Sequence, residues 1–188
     1  MSRRPENVAA FLLEPKRRDA VALIADRNYS YGELSDAAAN VARYLVESNC
    51  ARGDRVLLLS DNSFFWVASY LGILSAGLVC VPIPTTTRPD ELRYFLVNTE
   101  ATLIAIQSRY YLKFGSQLDA NHVLLDEAIT SRPALTSLES LQNSAPADRS
   151  YAEVADTDLA ALMFTSGSTG NPRGVMITHG NIRANTES

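Results

Sequence analysis

Between Thr165 and Gly174 the chain reads TSGSTGNPRG, bringing hydroxyls, glycines and one permanent cation together within ten residues. Thr165, Ser166, Ser168 and Thr169 supply hydroxyls that donate or accept, and Arg173 supplies a fixed positive charge. Gly167, Gly170 and Gly174 lack a Cβ, so peptide N–H groups beside them can approach a ligand closely. Several small donors around one cation suit a polyphosphate. A plain flexible loop shares this composition, so the spacing has to be tested against known phosphate-binding patterns. GxxxxGK[ST] is absent and so is GxGxxG. The residues after the loop, Val175 to Ile177, read as β, which argues against phosphate seated directly on a helix N-terminus. Ser166 and Ser168 lack the G-x-S-x-G elbow and an arranged base, which excludes a serine hydrolase.

The elements that must position this loop are legible on both sides of it. Leu159 to Phe164 precedes it and Val175 to Ile177 follows, predicting strand, loop, strand in a hairpin-like phosphate loop. Upstream, Asn7 to Leu13 reads as a short helix, followed by a polar turn over Pro15 to Asp19. Ala20 to Ala25 and Tyr29 read as short paired strands. Ser30 and Glu33 form an S-x-x-E capping box with Tyr29 and Leu34 as its staple. Leu34, Ala38, Val41 and Leu45 then carry a helix to about Ser48. Arg55 to Ser60 is a near-continuous apolar run, as in a strand buried on both faces. Helix Ser63 to Ala76, a cap at Gly77 and strand Leu78 to Val81 follow. Thr87 is expected to cap a third helix with Pro89 in its first turn. Strand Thr102 to Gln107, a weaker helix Arg109 to Leu118 and a short strand His122 to Leu125 complete the series. Ser131 to Asp158 shows no periodicity and reads as a surface connection. This alternation predicts an α/β fold, a mostly parallel sheet flanked by helices.

Composition removes several function classes. Hydrophobic residues make up 46% and charged residues 20%, which is ordinary for a globular chain. The formal net charge of -4 leaves no basic footprint for nucleic acid. Cys50 and Cys80 are too few for a disulfide framework, and Cys80 reads as a core residue. His122 and His179 have no cysteine or carboxylate arrangement suggesting zinc, and His179 reads as a helix-terminal residue rather than a catalyst. Phe64 to Ile83 is twenty residues without a charge, long enough for a membrane span. Gly72, Gly77 and Pro82 inside it, and its change to a β-branched character, instead predict a buried helix followed by a buried strand. The segment Val8 to Leu13 is too short for a secretion signal, so a cytoplasmic location is expected.

The run LMFTSGSTGNPRGVMITHGNI, Leu162 to Ile182, resembles the signature of the adenylate-forming superfamily. Its members include acyl- and aryl-CoA synthetases, fatty acyl-AMP ligases and amino-acid adenylation domains. The usual pattern is TSG, Ser or Thr, TG, any residue, PKG, and this chain departs from it in carrying Arg173 for Lys. YSYGEL at Tyr29 to Leu34 and ILSAGLVCVPI at Ile73 to Ile83 resemble two weaker upstream motifs in the correct order.

The resemblance implies ATP- and Mg²⁺-dependent activation of a carboxylic acid, with release of pyrophosphate and transfer to a thiol of CoA or phosphopantetheine. An acyl-CoA synthetase of fatty acid metabolism is the leading expectation. An amino-acid adenylation domain or fatty acyl-AMP ligase, with an acyl carrier protein as partner, is the alternative within the superfamily. A truncated, non-catalytic nucleotide- or partner-binding module is the alternative outside it. The implied cofactor-binding residues are Thr165, Ser166, Gly167, Ser168, Thr169, Gly170, Arg173 and Gly174; no catalytic or metal-ligating residue is assigned. The motifs expected for adenine, ribose and Mg²⁺ do not occur by Ser188, so residues 1–188 are expected to be the N-terminal portion of a longer adenylation domain, inactive alone.

Overall fold

The computed structural model describes residues 6–14, 17–119, 122–144, 147–165 and 173–187. Helix α1 (Val8–Leu13) is capped by the Asn7 side chain, which accepts the Ala9 N–H. Strands β1 (Val21–Ile24) and β2 (Asn28–Ser30) pair antiparallel in a separate two-stranded ribbon. Helix α2 (Tyr31–Glu47) starts at the expected capping box: Ser30 Oγ accepts the Glu33 N–H at 3.2 Å, and Glu33 Oε2 accepts the Ser30 N–H at 2.8 Å. Tyr29 and Leu34 are both buried, and the Tyr29 ring stacks on Phe64 at 4.1 Å.

The main sheet is built from β3 (Arg55–Leu59), β4 (Val79–Pro82), β5 (Leu103–Ile106), β6 (Val123–Leu125), β7 (Thr136–Ser137), β8 (Leu159–Thr165) and β9 (Arg173–Thr178). Its order is β7-β6-β5-β3-β4-β8-β9, parallel throughout except for the antiparallel pair β8–β9. The crossovers are α3 (Phe64–Ser75), α4 (Pro89–Thr99) and α5 (Ser108–Phe114), and α6 (Leu138–Gln142) and α7 (His179–Glu187) follow β7 and β9.

The central strand explains why both faces need covering. Val56 and Leu58 point to one face, Leu57 and Leu59 to the other, and all four are fully buried. The first face packs on α1, α2 and α3 through residues such as Leu13, Val41 and Leu71. The second packs on α4 and α5 through Leu92, Phe95, Tyr111 and Phe114. Burying each such side chain contributes about 1.5–3 kcal/mol, which makes the alternation of β3 the main determinant of the layering. The apolar run Phe64 to Ile83 is α3 followed by β4, as expected, with Gly77 at φ +72° ending the helix. Among the described residues no helix is long and apolar enough to cross a membrane.

Three local expectations are corrected. Thr87 does not cap α4: the N-cap residue is Arg88, whose N–H donates to Glu91 Oε2 at 2.8 Å, while Thr87 is buried. Glu91, at the third helical position, reaches back to the residue before the helix. The helix expected to reach Leu118 ends at Phe114 and tightens into a 3₁₀ turn, Gly115–Gln117. The connection from Ser131 to Asp158 contains β7, an added parallel edge strand, and α6, capped reciprocally by Ser137 and Ser140. A two-residue strand and a five-residue helix are too short to leave a periodic signal. The turn expected over Pro15 to Asp19 lies partly outside the described residues.

Candidate functional site

The two expected strands are present. β8 and β9 run antiparallel from Leu159↔Thr178 at the base to Thr165↔Arg173 at the mouth, and the residues expected to form the loop, 166–172, lie outside the described residues. Because β8 is parallel to β4, Thr165 lies at the carboxyl edge of the sheet, the edge at which open α/β sheets bind ligands. Of the eight expected site residues, Thr165, Arg173 and Gly174 are described; Ser166, Gly167, Ser168, Thr169 and Gly170 lie outside the described residues. Thr165 and Arg173 are cross-strand partners, and Thr165 Oγ1 donates to the Arg173 carbonyl at 3.5 Å. Arg173 is exposed, and among the described residues no carboxylate forms an ion pair with it. An exposed guanidinium beside a hydroxyl- and glycine-rich sequence fits the charge of a polyphosphate.

At the same edge lies a polar cluster that no sequence motif announces. β3 continues through α3 toward one side of the sheet and β5 through α5 toward the other, so their carboxyl ends form a topological switch point. There Tyr110 Oη donates to Asp61 Oδ1 at 2.8 Å, Arg109 pairs with Asp61, and its guanidinium sits 4.7 Å from the Tyr110 ring centroid. The Asp61 N–H donates to the Gln107 side chain at 3.3 Å. Exposed pairs of this kind contribute about 0–1 kcal/mol to stability, so their significance is their placement. Asp61 and Tyr110 are 49 residues apart, and the one available signal was that each follows closely on a predicted parallel strand.

The base of the hairpin is fixed by α7. Thr178 Oγ1 accepts the Asn181 N–H and Asn181 Oδ1 accepts the Thr178 N–H, both at 3.1 Å. The carbonyls of Asp158 and Asp156 accept the N–H groups of His179 and Gly180 at 3.0 Å. His179 is fully buried as the first residue of α7, consistent with its reading as a helix-terminal residue, and its Nδ1 accepts the Val8 N–H at 3.1 Å. An accepting Nδ1 requires the neutral ring with its proton on Nε2. Burial pushes the His179 pKa below its ordinary value, against the pull of Asp158 and Asp156. Asp158 itself is held low by the Ala155 N–H and by Arg52. His179 therefore belongs to the end of the hairpin opposite the loop.

Comparison with known proteins bears on the family and the fold. The chain is 32% identical over 162 residues to the crotonobetaine/carnitine–CoA ligase of Escherichia coli O1:K1 / APEC, covering 82% of this chain and 31% of the relative. The chain thus spans about a third of the length of the curated relatives it matches. ATP-bound MatB from Rhodopseudomonas palustris superposes with a TM-score of 0.77 at 26% identity, covering 97% of this chain and 37% of that one. A long-chain-fatty-acid-CoA ligase (FadD1) from Archaeoglobus fulgidus shares the fold with a TM-score of 0.84 at 23% identity, covering 98% and 39%. The profile of the AMP-binding enzyme family matches residues 14–188, nearly the whole sequence, and the chain belongs to that family.

Proposed function

We propose that residues 1–188 form the N-terminal portion of an AMP-binding domain in an acid–thiol ligase, and that the β8–β9 hairpin holds the phosphates of ATP. The observation that carries this reading is the pairing of Thr165 with the exposed Arg173, the first and ninth residues of the TSGSTGNPRG run, at the carboxyl edge of the sheet. In the proposed reaction a carboxylate oxygen attacks the α-phosphorus and pyrophosphate leaves; a thiol then attacks the acyl carbon and AMP leaves. Charge builds on the departing pyrophosphate, and preorganised donors and a fixed cation at that position lower the barrier. Ser166, Ser168, Thr169 and the N–H groups beside Gly167 and Gly170 are the proposed donors, with Arg173 as the cation. Mg²⁺ would accompany ATP as its counter-ion. CoA is the proposed thiol, in keeping with the CoA ligases among the relatives.

The test is carboxylate-dependent ATP–pyrophosphate exchange by the longer protein that carries this chain, over aliphatic, aromatic and amino acids. Arg173→Ala is expected to lower kcat/KM for ATP by about 10- to 150-fold, the equivalent of one charge-assisted contact of about 1.5–3 kcal/mol, with the fold intact. Arg173→Lys is expected to keep most of the activity. Unchanged exchange in Arg173→Ala would sink the site assignment. Exchange by the 188-residue chain alone would overturn the view that it is only a portion of the catalytic unit.

A further inference from the structure

Among the described residues β9 has β8 as its one strand neighbour, and residues 173–176 on it are exposed. Within those residues the mouth of the proposed phosphate hairpin is held by β8 and by what packs across the pair. What packs across it is specific. Gly174 faces Phe164 in the register, and a Cβ added at Gly174 would lie 2.8 Å from Leu162 Cδ1 and 3.6 Å from Phe164 Cε1. Leu162 thus occupies the space that a side chain at position 174 would need, and Phe164 stands beside it at ordinary contact distance. An aromatic laid over an edge glycine is a recognised way of pinning register. Phe164 in turn meets Phe95 of α4 edge-on, with ring centroids 4.8 Å apart and planes at 64°, and Phe95 is buried in the second core.

We propose that Leu162, Phe164 and Phe95 are positioning residues, a saddle seated on the bare backbone of Gly174 that transmits the placement of α4 to Thr165 and Arg173. Gly174 is required here for space. The atom in the way of a larger residue is the far end of the Leu162 side chain, which can rotate aside. Gly174→Ala should therefore disturb the aim of the hairpin much more than the stability of the fold. The catalytic consequence rests on the function proposed above; the structural one does not.

A double-mutant cycle between Gly174→Ala and Leu162→Ala, in the longer protein, tests the saddle by two readouts. Amide exchange at Thr165 and across 173–176 is expected to rise about tenfold in each single variant, with thermal midpoints close to the parent, because a local opening is being eased. The double variant is expected to fall back toward the parent rate, since the methyl introduced at position 174 then occupies the space Leu162 vacates. In parallel kcat/KM for ATP should fall by up to about a hundredfold in Gly174→Ala, the scale of a 1 Å misplacement, and recover in the double variant. Phe95→Leu should reproduce the exchange effect from the α4 side. Additive exchange rates, with no recovery in the double variant, would overturn the saddle. If the parent protein shows no ATP–pyrophosphate exchange, the functional reading fails by itself, and the amide-exchange cycle still decides between a saddle and independent packing.

Discussion

Gly72 is where the packing makes its sharpest demand on one residue. It lies in α3 against α2, and a Cβ built on it would sit 2.6 Å from Val41 Cβ, 2.7 Å from Val41 Cγ1 and 2.8 Å from the Ala38 carbonyl oxygen. In an exposed helix Gly→Ala would gain about 1 kcal/mol. Here the added carbon would stand about 1 Å inside the usual contact distance. Neither neighbour can yield: Val41 is fully buried and β-branched, with a stiff χ1, and the Ala38 oxygen is backbone. The two helices must separate instead, opening an interface built from Leu34, Ala38, Val41, Ala68 and Leu71. Overpacking costs about 1–3 kcal/mol, and with no rotamer escape the upper end applies, so after the propensity gain Gly72→Ala should lose about 2 kcal/mol. With a urea slope near 2 kcal/mol/M, the unfolding midpoint should fall by about 1 M. Adding Val41→Ala should restore only part of this, because the Val41 Cβ position and the Ala38 oxygen remain. Gly53→Ala is the informative control: at φ +83° with nothing within 4 Å, it should cost about 1–2 kcal/mol through backbone strain alone. A midpoint for Gly72→Ala equal to or above the parent would refute the claim that contact, rather than propensity, dictates glycine at this position.

Two further perturbations test the ends of helices. Ser30→Ala should cost about 1 kcal/mol in urea denaturation, with Ser30→Thr near neutral, since the hydroxyl both accepts the Glu33 N–H and donates to the Glu33 carboxylate. His179 gives a pH dependence whose sign follows from its lowered pKa. The unfolded chain takes up a proton as pH falls through about 6.5, while the folded chain resists, so stability is full above that pH and declines below it. The facing charges are Asp156 and Asp158, which favour protonation, and Arg52 and Arg183, which oppose it. His179→Gln should lower stability at pH 7.5 and shrink the further loss on moving to pH 5.5, measured in a His122→Gln background to remove the other histidine. An undiminished loss in that variant would show that other groups carry the acid sensitivity.

The parts of the fold legible in the sequence are those in which one local signal decides one local outcome. The continuous apolar run of β3, the Ser30–Glu33 box and the glycine after α3 each fix an element without reference to the rest of the chain. Gly72 and Gly174 were legible as glycines but not as contacts, because their meaning resides in Val41 and Leu162, which reach them from another element. Asp61 and Tyr110 were illegible for the same reason, being brought together only by the parallel pairing of β3 with β5. The proposed phosphate loop stands out by residue type and spacing, whereas the hydrophobic residues proposed to position it carry no polar signature.

The exchange of lysine for Arg173 follows the same division between local type and distant cause. The whole sequence contains 15 arginines and 2 lysines, so arginine at this position agrees with its usage throughout the chain and requires no special function. What the exchange does require is room, since a planar guanidinium approaches phosphate as a fork, while an ammonium approaches as a point. Among the described residues that room exists: Arg173 is exposed, β9 pairs with β8 alone, and Gly174 beside it presents no Cβ. Room for arginine at position 173 and close packing of Leu162 over position 174 are therefore features of two neighbouring residues on one strand.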